Sequence, residues 1–114
     1  MDAPVAVSAH ERELARLRDA LGERHPETLA QRAALAKAHL EAGAAGAAVV
    51  EYRELLKAVT AQHGEHHPQT LDARNHLAGA LREDGRADEA LQQYRALLEI
   101  CRRTHGEDHI GTLT

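Results

Sequence analysis

Gly64-Glu65-His66-His67-Pro68-Gln69-Thr70-Leu71 restates, 42 positions on, the stretch Gly22-Glu23-Arg24-His25-Pro26-Glu27-Thr28-Leu29. A third, altered copy follows at the same interval as His109-Ile110-Gly111-Thr112-Leu113. Sliding residues 22–63 onto 64–105 without a gap matches 19 of 42 positions. These include Arg32/Arg74, Leu35/Leu77, Ala36/Ala78, Gly43/Gly85, Ala48/Ala90, Tyr52/Tyr94 and the pairs Leu55–Leu56/Leu97–Leu98. Self-similarity at one fixed offset is the signature of a tandem array.

Each unit reads as two helices. Pro26 and Pro68 suit the first helical position, where the missing N–H has no intrahelical partner anyway. The first helix then runs to Gly43 or Gly85, residues suited to the left-handed conformation that closes a helix. The second starts near Ala45 or Ala87 and ends at Gly64 or Gly106. Its apolar stripe is Val49, Tyr52, Leu56 and Val59 in one unit, and Leu91, Tyr94, Leu98 and Cys101 in the other. Two such helices with a one- or two-residue joint fold back antiparallel. The stretch before Gly22 aligns with a second helix, Leu14 and Leu17 falling opposite Leu56 and Val59.

The expected organisation is therefore a flexible segment at 1–7, a lone helix at 8–21, repeat units at 22–63 and 64–105, and the start of a third unit at 106–114. That makes about five helices in an all-α solenoid of antiparallel hairpins. The composition agrees: 43% of residues are apolar, yet there is no Phe or Trp and there are only two Tyr. Ala and Leu favour helices, while strands want the β-branched and aromatic residues that are scarce here. A β-propeller blade of similar period is excluded on the same ground.

Within the second unit, Leu77–Ala78, Leu81, Gly85, Ala90 and Tyr94 carry a resemblance. Together with the Gly-x-x-His-Pro-x-Thr-Leu linker they resemble tetratricopeptide repeats, in the 42-residue form typical of kinesin light chain and many bacterial proteins. Armadillo and HEAT units fit the Gly-x-x-x-x-Ala-x-x-x-Tyr spacing less well. The resemblance spans residues 11–114 and implies a right-handed superhelix. It also implies a non-catalytic interaction scaffold that holds a partner peptide or helix in a concave groove lined by the first helices. The groove positions it implies are Ala30, Ala33, Lys37, Leu40 and Glu41, then Asp72, Asn75, Gly79, Arg82 and Glu83. Of these, Lys37 and Arg82 would meet partner carboxylates, Asn75 a backbone amide and Leu40 an apolar side chain; Glu41 and Asp72 complete the candidate set. The first unit departs from the pattern at Ala44–Ala47, which lack an acidic first turn, and at His39, which replaces Leu81.

The net charge of −4 argues against nucleic acid, which needs a basic excess. No run is long and apolar enough for a membrane span, and no secretory signal is evident, so the expected compartment is the cytoplasm. Arginine in excess over lysine, with abundant alanine, points to GC-rich coding and a bacterial source. Cys101 is the only cysteine, so no intrachain disulfide forms and no zinc site is built from thiolates within one chain. On the apolar stripe it is expected to act as a small hydrophobe.

Nine histidines raise the question of metal. His63, His66 and His67 share one loop, and His105 and His109 recur one unit later. Their positions suit structural roles: His25, His67 and His109 precede first helices, where a ring can cap the start, while His63 and His105 sit in last turns. His39 is expected to be half-buried. No metal ligands, cofactor or catalytic constellation are therefore assigned, and no enzyme activity is expected. A metal- or small-ligand-binding sensor built on the loop histidines is the alternative function. Stacked repeats also need their end faces covered, so the expectation is either that the chain is a fragment of a longer array or that two copies meet through the C-terminal hairpin, with Leu91, Leu98 and Cys101 on the open edge.

Overall fold

Proline at the start and glycine at the turn place the helices where the repeat pattern puts them. The computed structural model describes residues 5–113, with side chains for residues 5–103. Five helices follow one another: α1 (Val5–Leu21), α2 (Pro26–Glu41), α3 (Ala45–His63), α4 (Pro68–Glu83) and α5 (Ala87–Leu113). No strand occurs among the described residues. Each helix packs on the next in chain order, α1 on α2 through to α4 on α5, which gives a layered particle of 51 × 32 × 18 Å.

The caps explain the boundaries. His25 Nδ1 accepts the Glu27 N–H at 3.1 Å, and His67 Nδ1 accepts the Gln69 N–H at 3.0 Å, so an imidazole satisfies one orphan donor at the head of each first helix. At the hairpins, Gly43 and Gly85 take φ of 80° and 79°. The Ala44 N–H then reaches back to the His39 carbonyl and the Arg86 N–H to that of Leu81, closing both helices in the same paired-carbonyl turn. The far end of the first hairpin is tied where Gln62 Nε2 donates to the Arg24 carbonyl at 2.6 Å. His67→Ala is expected to cost about 1 kcal/mol in urea denaturation, and His67→Asn, which keeps a capping acceptor, to recover most of it.

Two boundaries differ from expectation. Residues 5–7 of the segment expected to be flexible are helical, because Val7 is buried beside Leu14, Leu35 and Ala38 in a second small core; residues 1–4 of that segment lie outside the described residues. The second difference is that α5 continues through Gly106 to Leu113 instead of yielding the start of a third unit. In the first two linkers a proline forces the preceding residue out of the helical region. The third has Ile110 there, which keeps its N–H and imposes no such break.

The main core joins α2, α3, α4 and α5 through Leu29, Val49, Tyr52, Leu55, Val59, Leu77, Leu81 and Ala90. Ala36, Ala48, Ala78 and Ala80 are wholly inaccessible to solvent; with only a methyl group each, they let the helices approach. One charge is inside with them. Arg32, 9% exposed, pairs with Glu51 of α3 at 2.7 Å and reaches Glu23 at 3.8 Å. The matched Arg74 meets Gln93 at 2.8 Å and makes no ion pair among the described residues; its buried Nε has no hydrogen-bond partner.

Candidate functional site

The first helices expose faces of small residues. Ala30 and Ala33 on α2 and Ala73 on α4 leave a gap that longer side chains would have filled. Leu29, Leu55 and Val59 supply its apolar floor, and the result is an open groove of about 420 Å³ between α2, α3 and α4. Polar groups stand around it: Gln62 and His63 from the end of α3, Gln69, Asp72 and His76 from α4. A broader open depression adjoins it at the head of α4, lined by Pro68, Gln69, Leu71, Asp72 and Asn75. Asp72 belongs to both concavities.

The electrostatics centre on that carboxylate. Asp72 lies 3.6 Å from His76 Nε2, one helical turn away. The His76 ring in turn stacks on Tyr52, with centroids 5.5 Å apart and planes 11° from parallel. Burial first, and then the charge of Asp72, push the Tyr52 phenol above its usual range, so it stays neutral and presents a polar but uncharged group behind the groove. At the other edge the rings of His63 and His67 stack at 4.2 Å. His67 already uses Nδ1 as a cap, and His63 lines the groove. Among the described residues, no three His, Cys, Asp or Glu side chains come together as a metal set. The side chains of His105 and His109 lie outside the described residues.

The groove positions expected from the sequence are only partly brought together. Ala30, Ala33 and Asp72 line the groove, and Asn75 lines the adjoining depression. Lys37, Glu41 and Arg82 are exposed further along α2 and α4 and line neither concavity. Leu40 is partly buried against the main core, which leaves only part of it for a guest. Residues missed by the sequence reading complete the site: Leu55, Val59 and Gln62 from the second helix, and His76. For His76 a signal was available. Tyr52 recurs on the face of α3 that turns towards α4, so a ring on α4 within reach of it was to be sought. His39 is half-buried, as expected, and so is Cys101.

Residues 70–111 match a family model described as tetratricopeptide repeat. No curated protein matches the chain.

Proposed function

The chain is a tetratricopeptide-repeat protein, and from that premise we propose that it is a non-catalytic scaffold whose α2–α4 groove holds a segment of a partner protein, as a peptide or a helix. Repeats of this family generally mediate protein–protein interaction. The observation that carries the reading is the groove itself. It offers an apolar floor for a partner's side chain and, at its edge, one unburied carboxylate, Asp72. In this reading Asp72 accepts N–H donors or a cation from the partner, and Asn75 holds a backbone amide. Lys37 and Arg82 meet carboxylates beyond the groove, with Glu41 and the free part of Leu40 beside them. The net charge of −4 favours a protein over a nucleic acid. No described helix is long and apolar enough to cross a membrane, which is compatible with a cytoplasmic location.

The test uses binders selected from a random-peptide display library. Ala30 is exposed and lines the groove, so Ala30→Arg fills the groove without touching the core. It is expected to weaken selected peptides by about tenfold or more while the thermal midpoint stays unchanged. Lys37→Glu with Arg82→Glu is expected to weaken the acidic binders selectively. Peptides that bind Ala30→Arg as well as they bind the parent would place the interaction elsewhere and remove this reading.

A further inference from the structure

The helix α5 shows the same apolar stripe as α3, and among the described residues no later helix packs on it. Val49, Tyr52, Leu56 and Val59 of α3 are matched 42 positions on by Leu91, Tyr94, Leu98 and Cys101 of α5. On α3, with α4 packed against that helix, Val49, Tyr52 and Val59 are buried. On α5 the matched face is open: Leu91 is 47% exposed and Leu98 70%, with Tyr94 and Cys101 half-buried between and beyond them.

The charges beside this stripe decide what it fits. Asp88, Arg95 and Arg102 stand seven residues apart, and so share one flank of the Leu91–Leu98 stripe. Reversing the helix about a point between Tyr94 and Arg95 brings Leu91 opposite Leu98, Arg95 opposite Tyr94, and Asp88 opposite Cys101–Arg102. Hydrophobic meets hydrophobic and each Asp88 faces the other copy's Arg102; the two Arg95 side chains meet at the axis, where each guanidinium lies by the other copy's Tyr94 ring. A parallel pairing would instead oppose all three positions to themselves, Asp88, Arg95 and Arg102, where the antiparallel one opposes only Arg95 to itself. Among the described residues Asp88 makes no ion pair, and Arg102 has only Glu99, one turn back. We propose that the exposed face of α5 docks antiparallel on the same face of a second copy of this chain, related by a two-fold axis beside Tyr94 and Arg95. This interface lies apart from the α2–α4 groove and is independent of what the groove binds.

Sedimentation equilibrium on the 114-residue chain tests it. Four helical turns form a small interface, so a dimer with a dissociation constant of order 100 µM is expected. Leu98→Glu should leave it monomeric with unchanged helical circular dichroism, since that side chain is already in solvent. Asp88→Arg should weaken the dimer several-fold, and adding Arg102→Asp should restore it. The two positions are about 21 Å apart on one helix, so the rescue cannot arise within a chain. The Ala30→Arg groove variant should dimerise normally. Under mild oxidation the native chain should not cross-link, because the antiparallel arrangement holds the two Cys101 residues about 20 Å apart, beyond disulfide reach. Arg95→Cys in a Cys101→Ser background should cross-link readily. A chain still monomeric at about 1 mM, a charge swap without rescue, or a Cys101–Cys101 disulfide would overturn the proposal.

Discussion

Leu81→Ala is expected to lower the free energy of unfolding by about 4 kcal/mol, read from urea denaturation followed by circular dichroism. Leu81 is only 1% exposed, and it belongs to the cluster joining α2, α3, α4 and α5. Truncation loses the transfer energy of its methyl groups and leaves a cavity that the inaccessible alanines beside it in the sequence, Ala78 and Ala80, are too short to refill. In a stacked array each helix is stabilised chiefly by its immediate neighbours, so damage to α4 weakens its packing on both α3 and α5. A loss of this size is a large share of the 5–15 kcal/mol typical of a folded domain. The matched residue of the first unit is His39, which is only half-buried. His39→Ala should therefore cost under about 1 kcal/mol, as partly exposed substitutions do. Equal losses at the two positions would mean that the units share the load evenly, contrary to the burial pattern.

That asymmetry marks what the sequence could and could not disclose. The helices were legible because local rules decide them: proline at the head, glycine at the turn, and an interval of 42 residues that copies both. The capping histidines were legible for the same reason, since the ring precedes the first helix in both units. The extra turn at the start of α1 was not. It depends on Val7 meeting Leu35 and Ala38, contacts made across the fold rather than along it. Nor was the run of α5 through Gly106, where the glycine suggested a stop but the missing proline outweighed it. The groove was half visible. Positions on α2 and α4 could be carried from one unit to the next, whereas Leu55, Val59 and Gln62 enter it because α3 lies behind the gap. Long side chains near the ends of the first helices, Lys37 and Arg82, looked like groove residues by their register but line neither concavity.

The buried guanidinium was missed entirely, since a charged residue that recurs in both units reads as part of a solvated face. Arg32→Met is expected to destabilise the chain by about 3 kcal/mol in the same denaturation experiment, because it leaves Glu51 with no cation in a nearly closed site. The side chains of Arg32 and Glu51 are 10% and 18% exposed, so some water reaches the carboxylate and holds the cost at the lower end of the range for broken buried pairs. Replacing both, as Arg32→Met with Glu51→Leu, should recover most of the loss, since the pair's mutual attraction largely offsets its own desolvation. The second unit supplies the complementary experiment. There Arg74 keeps its place, but the carboxylate has become Gln93, and the buried Nε is unpartnered. Gln93→Glu restores the charge at an unchanged position on the chain and is expected to add about 1 kcal/mol, a charge-assisted hydrogen bond replacing a neutral one. Should Gln93→Glu destabilise, the second unit would be shown to lack room or solvent for a carboxylate that the first accommodates, and the equivalence of the two hairpins would end at that contact.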